Sequence, residues 1–186
     1  GDKGLCGSFN NNVLNAVYKF IHENPGKNFK IFVVGKKAVD FFLRMNIAVL
    51  KDYSNVFGTL NFSVAKNISG EILQCFLKDN LSYFVAFYNE SKSIIKQKVV
   101  QTKILPLSLE NKEDKKSYIN CIFEPHDKSL LDIFLVSYLN AFVYKILLES
   151  YGSELAARMT AMDNASKNAQ DLIDNLTLIM NNVRQA

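Results

Sequence analysis

Cysteine and histidine are scarce in this chain, and their scarcity excludes several kinds of chemistry before any motif is read. Cys6, Cys75 and Cys121 are odd in number, far apart and without a C-x-x-C spacing. That pattern argues for reduced thiols in a reducing compartment, against a disulfide framework and against a cysteine zinc site. With His22 and His126 the only imidazoles, a histidine-built metal centre is not expected either. No apolar run of about 18 residues is free of charge, so no membrane span is expected. The nearest case, residues 130–148, is broken by Asp132, Asn140 and Lys145 and reads as a buried helix. A net charge of +4 without a dense Lys/Arg tract gives no support to a nucleic-acid face. No signal peptide is legible. Prolines stand only at 25, 106 and 125, each at a natural break.

What is present fits one folded domain with an extension: 186 residues, 48% hydrophobic and 22% charged. Residues 9–23 carry helical periodicity through Val13, Leu14, Val17, Phe20 and Ile21, and Asn24-Pro25-Gly26 stops it. Residues 29–34 (FKIFVV) form a short, nearly all-apolar strand of the kind buried on both faces. Gly35 turns the chain into a helix over 36–44; strands follow at 47–50 and 81–88, with a helix over 61–78 between them. Residues 93–105 alternate polar and apolar until Pro106, and 118–123 read as a last strand. Strands alternating with helices predict an α/β, Rossmann-like, mostly parallel sheet with flanking helices, antiparallel strands being added late. This domain is expected over 1–126.

The chain is organised around its C-terminal stretch. From about 127 a helix is expected to the end, packed on the domain to about 150. Beyond Gly152 there is no proline or further glycine. Leu155, Met159, Met162, Ser166, Ala169, Ile173, Leu176, Met180 and Val183 succeed one another at spacings of four and three. Four such repeats make a coiled-coil seam rather than the broad apolar stripe of a core helix. The seam portion alone would be about 50 Å long, so it must project as a stalk. It is expected to need a second helix, and without one to fray, bend back on the domain or pair with a neighbouring molecule.

Three stretches of sequence carry a resemblance. Ser153, Glu154, Ala157, Arg158, Met159, Ala161, Met162, Ala165 and Ser166, then Asn181, Arg184, Gln185 and Ala186, resemble the C-terminal helix of the gamma subunits of rotary ATP synthases. Asp2-Lys3-Gly4-Leu5-Cys6-Gly7 resembles the D-R/K-G-L-C-G of that family. Phe123-Glu124-Pro125, with Lys128, Leu130 and Leu131, resembles its Y-E-P-D-P-K-A-L-L. The resemblance implies a central rotor shaft that couples proton flow through a membrane ring to ATP synthesis at the beta subunits. It implies no catalytic site and no cofactor on this chain, and a peripheral position on the cytoplasmic face of a bacterial inner membrane or the matrix face of an organellar one. It gives Arg158, Met159, Met162, Arg184 and Gln185 to contacts with alpha and beta subunits, and Phe123 and Glu124 to the c-subunit ring or the epsilon subunit. It also implies that a long N-terminal helix, the first strand of the domain and the last part of the C-terminal helix lie outside the sequence. The turn at 108–116 leaves no room for the dithiol insert of chloroplast members.

Read without the resemblance, the alternative is a small nucleotide- or metabolite-binding α/β enzyme that dimerises through its last helix. Two places imitate phosphate loops: Gly1, Gly4 and Gly7 ahead of a helix, and Gly35-Lys36-Lys37 after a strand. Neither matches a dinucleotide fingerprint or a P-loop, and both read better as tight turns. Cys6 has no nearby histidine to serve as its base and reads as a small buried residue. His126 beside Asp127 reads as a helix entrance.

Overall fold

The computed structural model describes residues 1–91, 93, 97–107 and 128–185. Its elements are α1 (Phe9–His22), β1 (Ile31–Val34), α2 (Lys36–Arg44), β2 (Val49–Tyr53), a 3-10 turn (Val56–Gly58), α3 (Phe62–Lys78), β3 (Phe84–Ser91), β4 (Gln97–Leu105) and α4 (Lys128–Gln185). β1 pairs with β2 in parallel, and β3 with β4 antiparallel. This is the parallel α/β core with late antiparallel strands that the alternation predicts. The strand expected over 118–123 lies outside the described residues.

Helices cover both faces. Leu14 of α1 and Phe42 of α2 pack with Val33 of β1 on one side. On the other, Ala65, Ile68 and Ile72 of α3 meet Ile104 and Leu105 of β4 and Leu139, Val143, Ile146 and Leu147 of α4. Asn61 caps α3, its side-chain oxygen accepting from the Val64 amide at 3.0 Å. A buried polar pair across α3 and α4 is satisfied: Ser69 Oγ donates to Asn140 Oδ1.

α4 has 58 residues, so it is about 87 Å long, whereas the nine residues of β4 span about 30 Å. Among the described residues it overhangs the strands at both ends, and this differs from two expectations. Its first turns are not buried: Leu131, Ile133, Phe134, Val136 and Tyr138 are exposed, because packing begins only at Leu139. At the far end, packing does not stop near 150 but continues to Ala161, since the first residues of the chain dock there; from Met162 to Gln185 every residue is exposed. Neither is the solitary stalk frayed or bent back. It is one unbroken helix with Ile173, Leu176, Met180 and Val183 each more than half exposed. The sequence supplies local support for it, with Lys167 bonded to Asp163 and Gln170 to Asp174, both at the i,i+4 spacing. Among the described residues α4 alone is long and apolar enough to cross a membrane, a test that core helices also pass. Its most apolar window is 28% buried, through residues that include Leu139, Val143, Ile146 and Leu147.

Two partly exposed ion pairs, one from β2 to α3 and one from Lys30 to the residue after α3, add a small acid-sensitive contribution to stability. Lys51 Nζ lies 3.0 Å from Glu71 Oε2. Lys30 Nζ lies 2.6 Å from Asp79 Oδ2, which also accepts from the Cys75 thiol at 3.1 Å. The Lys51 ammonium, then the Tyr53 hydroxyl, hold Glu71 below its ordinary 4.5, and Lys30, then Cys75, hold Asp79 below 3.8. A carboxylate depressed in the folded state stabilises fully above its unfolded value, and the contribution fades as pH falls through the folded one. The urea midpoint is therefore expected to hold steady down to about pH 5 and to drop below about pH 4.5. Glu71→Gln should flatten part of that drop; an unchanged acid profile in this variant would remove Glu71 from the account.

Candidate functional site

The residues that resemble family words come together where α4 leaves the domain. Asp2 is held by its carboxylate: Oδ1 accepts from the amides of Lys36 and Asn55 at 2.9 Å each, and Oδ2 from Phe57 at 3.4 Å. Lys36 opens α2, so a carboxylate sits at a helix N-terminus, where unpaired amides and the helix dipole favour negative charge. The Gly1 carbonyl takes the next amide, that of Lys37, at 3.2 Å. Gly35 makes this approach possible. Its φ is +101°, and a Cβ there would stand 2.9 Å from the Gly1 backbone. Cys6 is buried, as expected of a small packing residue, and its sulfur accepts from Asn10 Nδ2 at 3.2 Å.

α4 closes over this segment. Glu154 is 3% exposed and its Oε1 lies 2.5 Å from Arg158 Nη2. Arg158 Nε donates to the Gly4 carbonyl at 3.4 Å. Ser153, fully buried, donates from Oγ to the Asn89 carbonyl at 3.0 Å and accepts at its own carbonyl from Gln97 Nε2 at 3.0 Å. Asn89 in turn donates to the Phe9 carbonyl at 3.0 Å. Tyr151 stacks on Phe57 with ring centroids 5.6 Å apart. Thus the N-terminal loop, the turn after β2, β3, β4 and α4 all meet within three turns of one helix.

The expected site residues divide by place. Arg158 is turned inward to Glu154 and Gly4 and is about a quarter exposed. Leu155, Met159 and Met162 are exposed on the same turns, and Ala169, Ile173, Leu176, Met180, Val183, Arg184 and Gln185 on the free stalk. Phe123 and Glu124 lie outside the described residues. Sequence reasoning missed the working partners: Glu154 and Ser153 were legible only as part of a family word, and Asn89 and Gln97 carried no signal. The i,i+4 spacing of Glu154 and Arg158 was the one available clue. The stretch after β1 that imitates a phosphate loop is filled by the chain's own Asp2 and Gly1. Among the described residues no group of three or more His, Cys, Asp or Glu could hold a metal.

An α/β domain that roots one long free helix in a buried polar joint has the architecture of a domain with a projecting stalk. The ATP synthase family model matches residues 1–186, and the chain is 38% identical over 187 residues to the ATP synthase gamma chain of Geobacter sp. (strain M21). The chain belongs to the ATP synthase gamma chain family. All of this chain and 65% of the Geobacter protein are covered; for the gamma chain of Elusimicrobium minutum the figures are 38% identity, all of this chain and 63% of that one. The chain thus spans less than two thirds of the length of these curated relatives, 63–65%. In a cryo-EM structure of the Tetrahymena thermophila mitochondrial ATP synthase central stalk and c-ring, a chain 26% identical superposes with a TM-score of 0.73, over 89% of this chain and 73% of that one. The rotor of the Euglena gracilis mitochondrial ATP synthase, 19% identical, shares the fold over 99% of this chain and 70% of that one, with a TM-score of 0.68.

The joint makes its own prediction. Arg158→Ala leaves the Glu154 carboxylate buried without its cation and should cost about 2–4 kcal/mol in urea unfolding. Gly35→Ala, strained by φ and crowded by Gly1, should cost about 1–3 kcal/mol. Exposed Met159→Ala, one residue from Arg158, should stay within about 0.5 kcal/mol of the parent. Equal stability of all three variants would show that the joint is not under load.

Proposed function

We propose that this chain is the shaft-bearing part of the gamma subunit of a proton-transporting rotary ATP synthase. In this reading it couples ion flow through a c-subunit ring to ATP synthesis at the beta subunits, without a catalytic site of its own. The observation that carries it is the free run of α4 from Met162 to Gln185, exposed on every side and bearing a heptad seam, on a domain whose family is known.

The seam and the buried stripe of α4 stand on opposite sides. Leu139, Val143, Ile146 and Ser153 face the sheet, while Leu155, Met159 and Met162 begin the seam two residues later in phase. Two residues turn a helix by about 200°, so a partner helix would lie on the side away from the domain. That arrangement suits a two-helix shaft turning inside a hexamer of alpha and beta subunits. An asymmetric shaft acts by population shift, because it meets each catalytic-site conformation with a different contact energy. Met159 and Met162 supply adaptable packing, and Arg184 and Gln185 supply polar contacts to loops of the hexamer. Arg158 serves that interface from its root, by setting the angle at which Met159 and Met162 are presented. Phe123 and Glu124, with the exposed apolar row at Leu131, Phe134 and Tyr138, suit the end that meets the c-ring and the epsilon subunit. In this reading residues 1–126 are assigned to the domain and the rest to the shaft, and the assembly is peripheral to its membrane, on the cytoplasmic or matrix face.

Full-length gamma subunits carrying Arg184→Ala, Gln185→Ala or Arg184→Lys should assemble but hydrolyse ATP more slowly, Arg184→Ala by about tenfold and Gln185→Ala by less. A tenfold loss corresponds to about 1.4 kcal/mol of contact energy at the turning point. In the isolated chain the same changes should shift stability by no more than about 0.5 kcal/mol. Undiminished turnover in all three assembled variants would sink the assignment. The alternative enzyme reading is tested by calorimetry, where neither ATP nor NAD should titrate; tight binding of either would revive it.

A further inference from the structure

Among the described residues the largest side chains without appreciable exposure are all polar: Asn89, Ser69 and Ser153. All three lie where α4 bears on the domain, and they act through two residues of that helix. Ser69 Oγ of α3 donates to Asn140 Oδ1. Ser153 Oγ donates to the Asn89 carbonyl of β3 at 3.0 Å, and the Ser153 carbonyl takes Gln97 Nε2 of β4 at 3.0 Å. Thirteen residues separate Asn140 from Ser153, which at about 100° per residue places them about 140° apart around the helix. Viewed down the axis, Ile146, Leu139, Val143 and Leu147 fall between them, in that order from Ser153. The two polar residues therefore stand on opposite flanks of the buried apolar stripe. Just outside each flank is an aromatic ring that also packs against the core, Phe142 beyond Ser153 and Tyr144 beyond Asn140. A small turn of α4 in either sense would bring one ring into the stripe and bury much the same apolar surface. Apolar burial is non-directional and does not choose the angle.

We propose that Asn140 and Ser153 are positioning residues that index the angle of α4 on its domain, two polar keys that exclude other angles rather than add stability. Rotation in either sense carries one key toward the middle of the apolar stripe and lifts the other away from its partner. A polar group buried in that way loses a hydrogen bond that no apolar neighbour replaces. The keys also lie about 20 Å apart along the axis, so a slide or a tilt of α4 disturbs both at once. Their bonds are arranged so that apolar replacement strands little. Ser69 Oγ also donates to the Lys66 carbonyl at 3.0 Å, and Gln97 reaches the backbone carbonyl of residue 153 rather than its side chain. Exchanging buried polar partners for apolar groups of similar shape is commonly near neutral in stability, whereas a single buried polar residue can fix a helix register. The keys concern only α4 and its own domain. Their consequence for rotation rests on the shaft reading, in which this angle sets the phase between the end that stands on the ring and the face that meets the catalytic sites.

The test reads methyl NMR signals of the whole chain, with urea unfolding beside it. Asn140→Leu combined with Ser153→Ala should hold or raise the urea midpoint. The same double variant should split or exchange-broaden the methyl signals of Leu139, Val143, Ile146 and Leu147, each single in the parent. Leu147→Ala should do the reverse, lowering the midpoint by about 1 M while every remaining signal stays single. One sharp set of signals in the double variant overturns the proposal. Should the double variant fail to fold, Asn140→Leu and Ser153→Ala are read singly in the same way. A lowered midpoint with single signals, or no folding in either, overturns it too, because the pair would then be a support and not an index. In the assembled complex with full-length gamma, the double variant should widen the angular dwells of a probe on the domain during ATP-driven rotation. Split methyl signals with dwells as narrow as the parent's would uphold the keys and count against the shaft reading alone.

Discussion

The carboxylate of Asp2 and the ion pair of Glu154 with Arg158 hold one short segment from two sides, and the order of the structure depends on that grip. Asp2 takes three backbone amides from two loops, fixing the start of α2 and the turn after β2 to residues 1–4. Arg158 takes the Gly4 carbonyl and Glu154 lies against Gly1, fixing the same residues to α4. Each hydrogen bond to a charged group contributes about 1.5–3 kcal/mol, and stranding a buried charge costs more than the bond it loses. Without this segment α4 would keep the apolar row from Leu139 to Leu147 and the contacts of Asn140, Tyr151 and Ser153, but nothing would hold it at Arg158.

An apolar row and a polar joint do different jobs for a helix. Leu139, Val143, Ile146 and Leu147 give non-directional attraction, which tolerates a small rotation or slide. Ser69 with Asn140, Ser153 with Asn89, and Arg158 with Gly4 are directional, and each is lost if α4 turns about its axis. Buried polar networks specify one arrangement among several of similar apolar burial, provided that every member is satisfied. Glu154 Oε2 is the member without a partner among the described residues, and it lies against Gly1.

Much of this was legible beforehand because the signals were local. The boundaries of α1, α2 and α3 come from periodicity, from Asn24-Pro25-Gly26 and from Asn61, all of which act within one turn. Gly35 read as a tight turn and is one; what it turns around, Gly1, is 34 residues away and left no trace in the spacing. Asn89 and Gln97 act through bonds from the strands to α1 and α4, 80 and 56 residues away in sequence, so no window of sequence marks them. The apolar turns at Leu131 to Tyr138 misled for a related reason. Periodicity reports which residues would be buried if something covered them, not whether the sheet is long enough to do so.

The half-turn between the buried stripe and the seam explains how one helix can serve two partners without a break. A bundle helix with a single stripe must leave its domain before it can meet another helix, and the passage between them would be bare of support. In α4 the stripes overlap: Ser153, Glu154 and Arg158 are still held by the domain while Leu155, Met159 and Met162 already face outward. A second helix can therefore engage while the first is still clamped. In the proposed shaft, torque passes from seam to joint across the width of one helix rather than along an unsupported length. Torsion of a lone helix is resisted only by its own backbone hydrogen bonds; torsion at this joint is opposed by Gly4, Asn89 and Gln97 at once, with Asp2 anchoring the segment that carries Gly4. The polar joint is placed where bending and twisting loads on an overhanging helix are greatest, at the last point of contact, and that is where an apolar contact would slip first.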